Sequence, residues 1–327
     1  MTVAIGHASA HHGEILQGVF LDASGRPCRG LVTLPMPGPG ARAEFTPLPR
    51  GRVVVSPAGR VKAARAASLA IAECARRTGR PRCGGHLRLH SDIPLGLGMG
   101  SSTGDVIATV RAVAASFGLV LPSGVIARLA VQAEDASDPL MLEDRPLLFA
   151  QREGRVLEDL GAALPPVIVV GCLTAGGRPV DTLALPAADA HDDVREFERL
   201  RALLRRALAE ADVGLLGWVS TESARRNQRR LPKEELPELE AIAGRAGAAG
   251  VQVAHSGNVA GLLFDPAADD LDERLRHCVR ALHDRAIPVT RIFSTGRPEG
   301  RHGQSHRRRD QQTGPRTARD RARLPAV

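Results

Sequence analysis

The sequence predicts an α+β fold in which helices layer against a mixed or antiparallel sheet. Three observations predict it. Strand-like segments crowd the first sixty residues, and the second half runs strand, helices, two strands, helix, strand. Between them, residues 91–118, SDIPLGLGMGSSTGDVIATVRAVAASFG, join a strand end to a helix start through a glycine-rich loop.

Taken in order, GHASAHHGEILQGVF reads as a loop entering a strand at Ile15–Leu21, and further strands are expected at Leu31–Pro35, Ala41–Thr46 and Arg52–Ser56. Val61–Arg77 places Ala and Leu at helical spacing and stops at Gly79. His86–His90 alternates as a strand, with the two histidines on one polar face rather than at a metal. Helices follow at Thr103–Phe117 and Ser123–Ala133, the second capped by Ser123. After a Pro-Pro break, Val167–Leu173 is a continuous apolar run, as a buried strand requires. Helices are then expected near 192–211, 213–227 and 235–246, strands at 250–254 and 259–264, a helix at 269–285 and a last strand at 289–294.

A chain of 327 residues is long enough for two domains, and a hydrophobic share of 43% suits a globular one. The boundary falls near Pro165, dividing 1–165 from 166–294. No apolar run exceeds strand length and no basic-then-apolar leader opens the chain, so the default expectation is a cytoplasmic protein without a membrane partner. Five scattered cysteines fit neither a disulfide framework nor a CxxC metal site. The net charge of +8 is concentrated at the end. Residues 295–327 carry nine Arg against three acidic residues, a net of +6, which leaves +2 for the rest. That segment has almost no apolar residues and is expected to be disordered. It interleaves no aromatic residue for base stacking, so nucleic acid is not the expected partner.

The glycine loop carries the first chemistry. Gly96, Gly98 and Gly100 permit tight turns, Ser101 and Ser102 add hydroxyls, and backbone N–H groups at a helix start form an anion site without any lysine. A side chain at Gly98 or Gly100 is expected to take space that phosphates need. The loop is neither a Walker A sequence nor a dinucleotide fingerprint. Three further segments look chemical. Glycines bracket Glu14 and Gln17 in HHGEILQG, which suits recognition of a small polar substrate. Glu134, Asp135 and Asp138 crowd three carboxylates at a helix end, an arrangement that a cation relieves. Residues 251–262, VQVAHSGNVAGL, read as strand, small polar turn and strand.

The loop resembles P-x-x-x-G-L-G-S-S-A, the nucleotide loop of the GHMP kinases, with Pro94, Gly98, Met99, Gly100, Ser101 and Ser102 in register and Met99 in place of Leu. The segment from Gly13 to Gly18 resembles the acceptor motif G-E-[IL]-[IL]-Q-G of the L-threonine kinases of cobalamin side-chain assembly, with His11-His12 where those enzymes have Ser-Cys. AHSG at 254–257 resembles the third motif of the same branch.

The resemblance implies the two-domain fold of that superfamily. Its N-terminal domain is ribosomal-protein-like with a left-handed βαβ unit, its C-terminal domain is ferredoxin-like, and the active site lies between them. It implies ATP at Pro94, Gly96, Gly98, Met99, Gly100, Ser101, Ser102 and Thr103, and Mg²⁺ at Ser102 with Glu134 or Asp135. Acceptor contacts would come from Glu14, Gln17, His255, Ser256 and Gly257, with Asp138 as catalytic base or orienting group. The implied acceptor is the hydroxyl of L-threonine. Homoserine or another small hydroxy compound is the alternative, and a nucleotide-binding protein without catalysis is a third reading.

Overall fold

A computed structural model of the chain describes residues 2–142, 145–161, 163–175, 194–229, 232–255 and 257–296. The expected disordered tail lies outside the described residues from position 297 onward. The elements are β1 (Ala4–Leu21), β2 (Pro27–Leu48), β3 (Val53–Ser56), α1 (Val61–Thr78), β4 (Gly84–Ser91), α2 (Ser101–Ser116), α3 (Ser123–Glu134), β5 (Leu147–Ala150), β6 (Arg155–Asp159), β7 (Ile168–Leu173), α4 (Val194–Ala209), α5 (Val213–Asn227), α6 (Leu236–Ala246), β8 (Gly250–Val253), β9 (Val259–Phe264), α7 (Leu271–Asp284) and β10 (Val289–Ser294).

Ten strands share one sheet in the order β10-β7-β9-β8-β1-β2-β4-β3, with the β5–β6 hairpin attached to β2. All pairings are antiparallel except β3 with β4, the two strands that α1 connects. The two halves of the sheet meet at one pairing, Glu14 on β1 with Val253 on β8.

The first sixty residues depart most from the sequence reading. The segment read as a loop is already strand from Ala4, and the two strands expected at 31–35 and 41–46 are one 22-residue strand. The intervening PMPGPG reads as a turn, yet β1 holds it in the ladder. The register steps from Ser9 opposite Gly40 to Ala10 opposite Met36, so Pro37, Gly38 and Pro39 bulge out without ending the strand. The β5–β6 hairpin was not legible, because LLFA is apolar throughout and RVLED does not alternate. Helix α2 begins two residues early and takes Ser101 and Ser102 into its first turn. Pro122, not Ser123, caps α3, and no side chain accepts there.

Burial explains why α1 and α2 stay where the site needs them. Ala63, Ala66, Ala67, Ala70 and Cys74 line one face of α1 with small side chains that allow close helix packing, and Gly79 ends the helix at φ 69°. Around α2, Val106, Ile107, Val110 and Val113 are fully buried, and Phe20, Phe45 and Phe149 fill the same core. A second cluster, from Val170 and Leu262 to Leu239 and Leu282, sits under α6 and α7. No described helix is long and apolar enough to cross a membrane.

Candidate active site

The loop between β4 and α2 takes the conformation its glycines predict. Gly96, Gly98 and Gly100 have φ of 72°, 82° and 75°, a region in which other residues are strained. Gly100 caps α2, so the first N–H groups of the helix face outward without intrahelical acceptors. The loop borders a cleft of about 450 Å³, a size that suits a small-molecule site.

The reason for glycine at 98 and 100 differs from the expectation. A Cβ on Gly98 would stand 2.5 Å from the Ala254 Cβ and 2.9 Å from the Gly257 Cα. At Gly100 it would stand 2.7 Å from the His11 ring and 3.0 Å from Leu140. The glycines are thus required by protein packed behind the loop, not by the space a phosphate would fill. Met99 is likewise corrected, since its side chain is buried in the core and its carbonyl accepts from the His11 N–H at 3.3 Å. Pro94 is exposed and does not border the cleft.

Across the loop stands the acidic cluster. Ser102 Oγ donates to Glu134 Oε2 at 2.7 Å, and Thr103 Oγ1 donates to Glu134 Oε1 at 2.8 Å. Burial pushes the Glu134 carboxyl up to about 7, against the pull of those two hydroxyls. Lys62, the second residue of α1, reaches to 4.0 Å from Glu134 and borders the same cleft. Asp135 sits one residue past α3 in a left-handed conformation, φ 68°, and is exposed at the cleft edge.

Asp138 pairs with a residue that the sequence singled out only as a departure from a motif. His11 Nε2 lies 3.1 Å from Asp138 Oδ2, and His11 Nδ1 lies 3.1 Å from the carbonyl of Gly13. Burial opposes a charge on His11, but Asp138 and then Glu14 outweigh it and raise the imidazole to about 9. Burial also opposes ionisation of Asp138, and His11 overrides it, holding this carboxyl below its ordinary value. The two therefore stand as an imidazolium and a carboxylate at neutral pH. Ligand atoms of His11, Glu14 and Asp138 lie within 4.8 Å of one another. The His11 charge answers both carboxylates without a metal.

Of the expected acceptor residues, Glu14 and Gln17 line the cleft and His255 does not. His255 stands behind Glu14, whose Oε2 is 2.9 Å from the His255 backbone nitrogen and 3.1 Å from Nδ1. Its Nε2 lies 3.5 Å from Ser223 Oγ on α5. His255 thus fixes Glu14 instead of meeting a ligand. Gly257 packs on Gly98, where a Cβ would fall 2.2 Å from the Gly98 nitrogen. Ser256 lies outside the described residues. The sequence reading also missed Lys62, Arg29, Gln151 and Arg152, all of which border the cleft. They come from three separate elements with no motif to link them.

Residues 62–140, which hold α1, the glycine loop and the acidic cluster, match the GHMP kinases N-terminal domain. That stretch of the chain is similar to the GHMP kinases. Curated relatives fall into two groups. The 4-diphosphocytidyl-2-C-methyl-D-erythritol kinase of Chlorobaculum tepidum is 29% identical over 191 residues, 57% of this chain and 63% of that one. The L-threonine kinase of Citrobacter freundii is 28% identical over 187 residues, 56% of this chain and 64% of that one. The chain thus matches less than two thirds of either relative's length. The fold extends further. Homoserine kinase from Cytophaga hutchinsonii superposes with a TM-score of 0.64, covering 90% of this chain and 94% of that one at 16% identity. The α+β fold of the GHMP kinases, expected from the resemblance, is the fold observed.

Proposed function

We propose that this protein is an ATP-dependent phosphotransferase whose acceptor is the side-chain hydroxyl of an amino acid, L-threonine first. The observation that carries the reading is the juxtaposition, in one cleft, of a glycine loop joined to the Ser102–Glu134 pair and a His11–Asp138 ion pair. The first is equipped for a nucleotide and the second for an acceptor hydroxyl.

The triphosphate of ATP is taken to lie along the loop, where unpaired N–H groups at the start of α2 and the Lys62 ammonium offset its charge. The Ser102 hydroxyl and the Glu134 carboxylate form a hard, all-oxygen donor set, and Asp135 at the edge is a further candidate. That set fits Mg²⁺, which when bound supplies neutralisation of charge on the phosphoryl group being transferred. Asp138 orients the acceptor hydroxyl toward the γ-phosphorus and takes its proton. Held below its ordinary value by His11, it is a weak base, so proton acceptance comes late in the transfer. Phosphoryl transfer of this kind depends chiefly on positioning and charge, which is the work the cleft is arranged to do.

The domain reading extends the proposal. Residues 1–165 would supply the nucleotide loop and acceptor motif, and 166–294 the turn that packs on that loop. The test is ATP consumption with product mass recorded, against L-threonine, L-serine, L-homoserine, amino alcohols and phosphorylated polyols. Phosphothreonine as the leading product supports the proposal. A phosphorylated polyol would move the acceptor to the other group of relatives, and ATP hydrolysis with none of them would remove the acceptor assignment.

A further inference from the structure

The wall of the cleft formed by β1, β2 and the turn after β5 carries polar groups that phosphoryl transfer itself does not use. Gln17 on β1 pairs with Leu31 on β2, and Leu31 in turn pairs with Phe149 on β5. Arg29 lies two residues before Leu31 on the same face of β2, and Gln151 lies two residues after Phe149, so one register brings them to one wall. The backbone around them is pinned. Gln17 N–H donates to Ser223 Oγ at 3.0 Å, Asn227 Nδ2 donates to the Gln17 carbonyl at 2.8 Å, and the Ser137 N–H donates to the Gln151 carbonyl at 2.9 Å.

The side chains are left unanswered. Gln17 Oε1 and Gln151 Oε1 are buried without a hydrogen-bond partner among the described residues, and each borders the cleft. Glu14 spends Oε2 on His255 and has Oε1 to offer. A buried acceptor without a donor is costly, so the two amide oxygens, with the Glu14 carboxylate beside them, call for a ligand that brings hydrogen-bond donors and positive charge. An ammonium brings three donors. Arg29 and Arg152 border the same cleft, and neither forms an ion pair among the described residues. Their guanidinium forks match the two oxygens of a carboxylate.

We infer that this wall reads a zwitterion. Arg29 and Arg152 take the carboxylate of an α-amino acid, Gln17, Gln151 and Glu14 take its ammonium, and the side-chain hydroxyl is left facing Asp138. A phosphate-bearing acceptor could satisfy the arginines, but it would bring further negative charge, and no cation, beside Glu14 and Asp138. The inference rests on the amino-acid phosphotransferase reading and deepens it by assigning its acceptor subsite.

Equilibrium binding tests it without turnover, using L-threonine, L-threoninol, which lacks the carboxylate, and 3-hydroxybutyrate, which lacks the amine. Wild-type protein is expected to bind L-threonine roughly tenfold or more tightly than either analogue, the factor that one hydrogen-bonded charge supplies. Arg29→Gln with Arg152→Gln should erase the advantage over L-threoninol and leave ATP binding intact. Gln17→Leu with Gln151→Leu should erase the advantage over 3-hydroxybutyrate. Equal binding of the three compounds to wild-type protein, or no binding of any, overturns the zwitterion subsite. If L-threonine binds in the expected pattern and ATP yields no phosphothreonine, the kinase reading fails and the subsite stands. If a phosphorylated polyol is turned over and no zwitterion binds, the subsite fails and the kinase reading stands.

Discussion

Replacing His11 by Gln should change how turnover depends on pH, because it leaves Asp138 in a partly buried setting without its cation. The pair stands at 3.1 Å, with the His11 side chain 2% exposed and that of Asp138 23% exposed. Two unit charges at that separation attract by roughly 5 kcal/mol at an effective dielectric of about 20. Desolvation of both groups offsets much of this, and a net effect of about 2 kcal/mol on the ionised form of Asp138 corresponds to roughly 30-fold in its protonation equilibrium. The assay is kcat against pH at saturating ATP. The imidazole is raised from 6.5 to about 9, so the ion pair contributes stability fully below pH 6.5 and loses it as pH rises through about 9. Wild-type kcat should accordingly fall above pH 9. In His11→Gln that high-pH fall should vanish, and the acid fall should move upward because Asp138 no longer has a cation to keep it ionised. A variant with wild-type kcat and an unmoved pH profile would refute the pair's role.

Other perturbations separate the remaining roles. Asp138→Asn keeps shape and removes charge, so kcat should drop by roughly 10²- to 10⁴-fold while ATP affinity measured by titration stays within a small factor. Glu134→Gln should raise the Mg²⁺ concentration needed for half-maximal activity, whereas Asp135→Asn, at an exposed position with no bond to Ser102, should raise it much less; the reverse order would exchange the two assignments. Gly98→Ala sets a Cβ 2.5 Å from that of Ala254 at φ 82°, so it should lower stability by about 1–3 kcal/mol in denaturant unfolding and weaken ATP binding with it. An unchanged unfolding midpoint would show that the loop has room to shift.

How far the sequence carried the reading depended on the range over which each signal acts. The glycine loop, the helices and the strand at Val259–Phe264 were legible because their signals lie within ten or twenty contiguous residues. The continuity of β2 was not, because PMPGPG is a turn by local chemistry and a strand only through pairing with β1. The site divides the same way. Ser102, Glu134 and Asp138 announce themselves by motif, whereas His11 acquires its partner 127 positions away in sequence. His255 was read as facing a substrate, and only the pairing of β1 with β8 turned it toward Glu14. Arg29, Gln151 and Lys62 are ordinary residues until the sheet and α1 bring them to one cleft.

The fastening behind the glycine loop bears on how the chain can be divided. The N–H groups of Asn258 and Val259 both donate to the Leu97 carbonyl, at 2.9 and 3.0 Å, and the Lys233 amine holds the Gly257 carbonyl that overlies Gly98. Residues more than 130 positions downstream therefore complete a loop that looks self-contained on paper. A fragment ending near residue 165 would keep every glycine and serine of the loop and lose the surface, Ala254 and Gly257, against which Gly98 sets. Such a fragment would keep the hold of His11 and Leu140 on Met99 and Gly100 and lose the contacts that set Leu97 and Gly98, so the motif transplanted without them would bring its letters with only part of its shape. Heat should act on the chain in the same indivisible way, with ATP raising one melting transition rather than the first of two.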